Sequence, residues 1–302
     1  MIDASTTAHL LDERRAAHAE LFAAFAPAAT IAAFDAIDER QSYHALGPQV
    51  TMQWSDIEAR YGAKGFEAYQ HVTLLTLICD FKSRARSRNY TPAILTRFEH
   101  SFARILAAIQ DPACAHYRSN NDILLKDMAL CRQKMFPAGA QVVEPASGFH
   151  RALLFRGGFG QFFSVMKLLM RSSGQTDWYQ IHTHLEEREE FNPDGWDRCY
   201  LRLAHMMERH AHIRGMYGGS WFYDPALAMV SPRLTYLRTR PQENGAVVCY
   251  SNDDPHGGAL ATSDTRRALY EKGQYLPKAY ALIWPRAPLL AWARRYADEQ
   301  NL

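Results

Sequence analysis

Lysine is scarce in this chain of 302 residues: Lys and Arg together number 34, of which only seven are Lys, leaving 27 Arg. Such a bias is the mark of a GC-rich, bacterial-like genome. It also supplies guanidinium groups, which pair bidentately with carboxylates and phosphates. An excess of charge of one sign is missing too. Asp and Glu number 32, so the formal charge is +2. A near-balanced chain has no global field to draw it to nucleic acid or to an anionic membrane, and neither partner is expected. The run Lys82-Ser-Arg-Ala-Arg-Ser-Arg88 reads as the solvated end of a helix.

Cysteine pairs are absent. Cys79, Cys114, Cys131, Cys199 and Cys249 are odd in number, widely spaced and never in CxxC. That excludes a disulfide scaffold and a zinc ribbon, and it fits a reducing compartment. The start of the chain carries Asp3, Asp12 and Glu13, where a secretory signal needs a basic start and an apolar run. Long apolar runs are lacking as well, since the longest, around Val72–Cys79, is far too short to span a bilayer. The expectation is a soluble, cytoplasmic protein. With 17 Gly and 14 Pro, no internal repeat and no low-complexity linker, collagen-like and disordered classes are excluded.

What remains is 47% hydrophobic and 22% charged, with length enough for two domains and a sizeable core. Residues 1–135 read as helical. Ala8–Phe25 is rich in strong helix formers, and Pro27 interrupts it. Apolar positions spaced by three and four predict helices over Phe66–Arg86, from Thr91-Pro92 to Asp111-Pro112, and over Asp122–Met135. From residue 136 onward short strands alternate with helices, which predicts an α/β or α+β domain over 136–302. Its strands are expected at Gln141–Glu144, Arg151–Phe155, Trp178–His184, Ile213–Tyr223, Ala246–Tyr250 and Tyr280–Trp284. Its helices are expected at Gln161–Arg171, after the Asn192-Pro193-Asp194 cap, and at Pro232–Thr239, Thr265–Lys272 and Leu289–Tyr296. The boundary is soft, and the pattern leaves open whether the two parts share one core.

Three stretches carry candidate chemistry. In Ile181-His182-Thr183-His184 the two histidines, two apart on a strand, face the same side, as a metal pair requires. Glu186, Glu187 or Asp224 offers a carboxylate, and His210 and His212 form a second pair. In Arg156-Gly-Gly-Phe-Gly160 the glycines suit either an anion cradle or a tight strand-to-helix turn. In Arg214–Pro225, Gly218 and Gly219 mark a bulge or close approach. Ser220, Trp221, Phe222, Tyr223 and Asp224 then suit a pocket wall or a packed core, with Arg233 beyond them.

The stretch Ser263-Asp-Thr-Arg-Arg-Ala-Leu-Tyr-Glu-Lys-Gly-Gln-Tyr275, followed by a strand at Tyr280–Trp284, resembles the end of GNAT-type acyltransferases. Leu269-Tyr270-Glu271-Lys272 matches the Leu-Tyr-Glu-Lys run of that family, and Tyr275 stands at its aromatic position. The resemblance spans residues 220–285 and implies that Tyr270 is the general acid that protonates a departing thiolate. It departs from the family where a phosphate-binding glycine loop is expected, because Asp224–Arg233 contains no glycine.

Three functions follow. The first is a small-molecule acyltransferase using acyl-CoA or a carrier-bound acyl donor. Tyr270 would be its acid and His182 or His184 its base, with Ser220–Asp224 facing the thioester. No tightly bound cofactor is expected there; acyl-CoA is a co-substrate. The second is an iron or zinc enzyme built on His182, His184 and Asp224. The third is a non-catalytic binding or regulatory protein.

Overall fold

The computed structural model describes residues 4–172 and 174–300. The chain divides into two compact units. One comprises the residues up to Glu144 together with Thr183–Arg188; the other comprises Pro145–His182 and the residues from Glu189 onward. The division lies at Glu144 rather than near residue 135. A short return of the chain, Thr183–Arg188, belongs to the first unit, and the alternation of elements gave no sign of it.

The first unit contains α1 (Ala4–Ala17), α2 (Ala19–Ala24), α3 (Pro27–Asp35), α4 (Gly47–Cys79), α5 (Phe81–Ala85), α6 (Pro92–Gln110) and α7 (Asp122–Cys131). The short strand β1 (Phe136–Pro137) follows. Helix α4 begins well before the expected Phe66. Gly62 breaks it with φ +65°, a conformation open to glycine, so its two halves need not share one axis. In the second half Phe66, Tyr69, Val72, Leu74, Leu75 and Leu77 are all buried, which makes that half the centre of the unit. Helix α6 starts where Thr91 and Pro92 predicted: the Ile94 amide donates to Thr91 Oγ1 at 3.3 Å. In the same way α7 is capped by Asn121, which accepts from the Leu124 amide at 3.0 Å. The Lys82–Arg88 run closes α5, and Arg84 and Arg88 pair with Asp35 and Glu39.

Strand β2 (Val142–Gly148) carries the chain from the first unit into the second. The second unit continues with α8 (Leu153–Arg156), α9 (Gly158–Ser172), β3 (Thr176–His182), α10 (Pro193–Arg209) and β4 (Gly215–Ser220). After these come α11 (Leu227–Val230), α12 (Tyr236–Glu243), β5 (Val247–Asp253), α13 (Gly258–Ala261), α14 (Asp264–Glu271), β6 (Lys278–Pro285) and α15 (Arg286–Gln300). The strand order is β1-β2-β3-β4-β6-β5, with β3 parallel to β4 and β6 antiparallel to both β4 and β5. This is the mixed sheet among helices that the sequence predicted.

Three expectations are corrected. Arg151–Phe155 is not a strand: from Leu153 on it belongs to the single helical turn α8 (Leu153–Arg156), so the Arg156–Gly160 glycines link two helices. Gly158 makes that link with φ +76°. Trp221–Tyr223 leaves the sheet as a 3-10 turn, because Ser220 Oγ accepts from the Phe222 amide and turns the chain. His184 lies past the end of β3, so the same-face argument does not reach it.

In the second unit the alternation of strand residues divides two cores. On one face Trp178, Tyr217, Ala281, Ile283 and Cys249 pack with Leu153, Leu154, Val165 and Leu168 of α8 and α9. On the other, Trp284 of β6 meets the rings of Tyr200 from α10 and Trp292 from α15 at centroid separations of 5.1 and 5.4 Å. Among the described residues no helix is long and apolar enough to cross a membrane.

Candidate functional site

The parallel pair β3–β4 is joined by a short ladder. Its ladder joins Tyr179 to Met216 and Gln180 to Tyr217, and goes no further among the described residues. Strand β3 nevertheless runs on to His182 and β4 to Ser220. On its other edge β4 is paired with β6 along its whole length, from Gly215–Pro285 to Ser220–Tyr280. The ladder thus stops short of the carboxyl ends: the Ile181 side chain still packs on Gly218, and the edge of β4 beyond it belongs to Gly219 and Ser220. Ligands of open α/β sheets bind at such carboxyl ends.

Three polar side chains stand where the ladder stops. Gln180 Oε1 accepts from Ser147 Oγ at 2.6 Å and from the Tyr217 hydroxyl at 2.6 Å. The Tyr217 hydroxyl also lies 2.9 Å from the Gly148 carbonyl and 2.8 Å from Ser147 Oγ. His182 shares the face of Gln180, two residues on, and is half-buried. The two glycines differ. A Cβ on Gly218 would lie 2.6 Å from the Ile181 side chain and 3.1 Å from the Tyr223 hydroxyl, whereas one on Gly219 would meet nothing within 4 Å. Gly218 is a packing requirement, and the space at Gly219 is empty. Sequence reasoning passed over Ser147, Gln180 and Tyr217. The signal for Gln180 was present, since it lies on the same strand face as His182.

His184 serves elsewhere. In the first unit its Nε2 donates to Asp127 Oδ1 at 3.1 Å, and its Nδ1 accepts from the Glu186 amide at 3.2 Å. Asp127 is fully buried and also accepts from the Tyr117 hydroxyl at 2.8 Å and from both terminal nitrogens of Arg104. Burial works against the Asp127 charge, but Arg104 and His184 outweigh it and hold the carboxyl well below the usual range. Burial likewise opposes the Arg104 charge, and Asp127 outweighs it. Arg104 also reaches Glu187 Oε1 at 3.3 Å. The arrangement is closed on itself. With both ring nitrogens engaged, His184 has none left for a metal. Among the described residues no three His, Cys, Asp or Glu side chains gather as a metal site. The Fe or Zn alternative on His182, His184 and Asp224 thus has no ligand set here.

Asp224 is buried and ties a turn: its Oδ1 accepts from the Ala226 amide at 2.9 Å and its Oδ2 from the Lys278 amide at 3.3 Å. Burial and this carboxylate push the Tyr275 hydroxyl up to about 12. Trp221 packs with Leu227 and Ala259, and the buried Arg266 guanidinium lies 4.4 Å from its ring centroid. Arg266 is held by the Ala259 carbonyl, Ser231 and Thr262, while Arg233 is exposed. Trp221 and Asp224 are therefore supports of the segment after β4 rather than open pocket walls. Tyr270 is 36% exposed on α14, and its hydroxyl makes no hydrogen bond among the described residues. Asp197 of α10 is a further titratable group that the sequence did not single out. Burial pushes its carboxyl up to about 6, although Arg240 lies 2.5 Å away.

The helix that follows β3 offers no cradle for a diphosphate. Asn192 already accepts from the Gly195 amide at 2.9 Å, and Asp194 occupies the first turn of α10. The fold is that of a mixed α/β protein with a short parallel β3–β4 ladder. Comparison of the chain with family models, with curated proteins and with solved structures returns no match.

Proposed function

We propose that the second unit transfers an acyl group from a pantetheine-type thioester, free as acyl-CoA or held on a carrier, to a small-molecule acceptor. One observation supports this most: the β3–β4 ladder ends at Gln180–Tyr217 and leaves an open backbone edge beside the vacant space at Gly219. An extended chain with secondary amides adds to such an edge by strand-type hydrogen bonds. Its thioester would then lie near His182, whose imidazole is a side chain suited to a general base. The acceptor nucleophile loses its proton to His182 and attacks the thioester carbonyl. The bond from carbon to the nucleophile forms, the carbon–sulfur bond breaks, and the thiolate takes a proton. The resemblance to GNAT-type acyltransferases gives that last role to Tyr270. The occupied N-terminus of α10 favours a donor whose diphosphate is not gripped there. Five free cysteines are in keeping with a reducing, cytoplasmic setting.

The test is thiol release from acetyl-CoA, a long-chain acyl-CoA and an acyl-pantetheine, with mass spectrometry of a panel of small amines and alcohols. His182→Gln is expected to lower turnover by about 10²–10⁴-fold, the usual worth of a positioned base. Gly219→Val fills the vacant space and is expected to abolish donor binding with the melting temperature unchanged. Tyr270→Phe tests the acid role by itself. Thiol release by Gly219→Val at the wild-type rate would sink the reading, as would an absence of binding to every donor.

A further inference from the structure

The opposite ends of β3 and β4 border a cavity of about 1190 Å³. It lies between the end of α9, the residues leading into β3 and β4, and the first turns of α15. Its walls carry Lys167, Arg171, Arg214, Arg286 and Arg294, and the sole acid among the lining residues is Asp177. Two of these cations belong to the wall itself. Arg286 donates to the carbonyls of Met207, His210 and Ile213 at 2.6–3.2 Å, closing the end of α10. Arg214 lies 4.0 Å from Asp177. The other three, Lys167, Arg171 and Arg294, are exposed and make no ion pair or hydrogen bond among the described residues.

This gathering runs against local electrostatics. Lys167 and Arg171 stand four apart on α9, a spacing at which like charges destabilise a helix. The first turn of α15 contains no acidic residue and begins with Arg286, although a helix start favours negative charge. The whole segment 145–176 contains no Asp or Glu. An anion in the cavity would reverse each of these costs at once. The remaining walls, with Ile213, Val247, Pro288 and Leu290, are apolar enough to take an uncharged body. The volume suits a ligand of nucleotide size.

We infer that this cavity binds an organic phosphate carrying at least two negative charges, held by Lys167, Arg171 and Arg294. The site is distinct from the β3–β4 opening and does not depend on acyl transfer, so it stands or falls by binding alone. An anionic lipid surface is the competing occupant, because Phe159, Phe163 and Met170 of α9 are also exposed.

The test is calorimetric titration of the full chain with ATP and with inorganic pyrophosphate, beside flotation with phosphatidylcholine/phosphatidylglycerol vesicles. Both phosphate probes are expected to bind, and raising salt from about 50 to about 200 mM is expected to weaken them severalfold by screening. Arg171→Gln with Arg294→Gln should weaken binding at least about tenfold, and Arg171→Lys with Arg294→Lys should recover most of it, since charge dominates over fork geometry at an open site. These residues are exposed, so an unchanged melting curve checks folding. Equal affinity in the wild type and the Gln variant overturns the inference, as does no binding of either phosphate. Vesicle binding without phosphate binding also overturns it and assigns the surface to lipid.

Discussion

The polar clusters of the two units are built on opposite plans. Around Asp127 in the first unit, every oxygen is matched by a donor from Arg104, Tyr117 or His184, and the carboxylate is sealed from water. In the second unit the polar groups lie at openings: Gln180, Tyr217 and His182 where a ladder stops, and Lys167, Arg171 and Arg294 around a cavity. A cluster whose buried carboxylate is matched on both oxygens contributes to the fold. An open one stands where a ligand can reach it. The two histidines of one His-x-His motif fall on either side of this line.

Removing the centre of the closed cluster should have the largest effect on stability. Asp127→Ala removes the fully buried carboxylate that holds Arg104, Tyr117 and His184 together, and its expected cost is about 3 kcal/mol in denaturant unfolding. A loss under about 1 kcal/mol would mean that the cluster is not the anchor described. The first unit should also respond to acid. Burial, aided by Arg14, His18 and Arg118, lowers the His71 pKa from 6.5 to about 4. Between these values the unfolded chain binds the proton that the folded chain refuses, so stability is complete above 6.5 and falls down to about 4. The expected loss is about 3 kcal/mol, and it should vanish in His71→Gln when unfolding is followed from neutral to acid pH. Asp127, held low, adds a further loss only in stronger acid.

The caps are a middle case. Asn192→Ala and Thr91→Ala should each cost about 1 kcal/mol in the same assay, whichever unit carries them. The smallest stability effects belong to the open clusters. Gly219→Val and the Arg171/Arg294 double Gln variant should unfold within about 0.5 kcal/mol of the wild type, while donor and phosphate binding change by tenfold or more. A large loss of stability in either would erase the contrast between the units and make those residues structural.

The caps were the most legible features of the sequence, because Thr91-Pro92 and Asn192-Pro193 act on amides only a few residues away. The apolar spacing of α6 and α10 was equally readable. Arg151–Phe155 misled: five residues with apolar members suit a strand or a helical turn, and Gly157-Gly158 resolved it by turning the chain into α9. The site was half legible. His182 is at the opening, but Ser147 and Tyr217, which hydrogen-bond its strand neighbour Gln180, come from other strands, and Asp224 and Trp221 proved to be turn and core groups. Nothing local linked Arg104 to Asp127 or either one to His184, since each lies on a different element.

The sequence by itself determined where the capped helices α6 and α10 begin, which of their faces are apolar, and that a helical part precedes a mixed α/β part. These depend on interactions within a turn or two of the chain. Tertiary structure alone decided that the β3–β4 ladder stops at Gln180–Tyr217, that His184 is sealed beside Asp127 while His182 is not, and that five cations border one cavity. Those outcomes are set by register between strands and by the meeting of distant side chains. Their free energy comes from burial and pairing across the fold, and no local pattern records it.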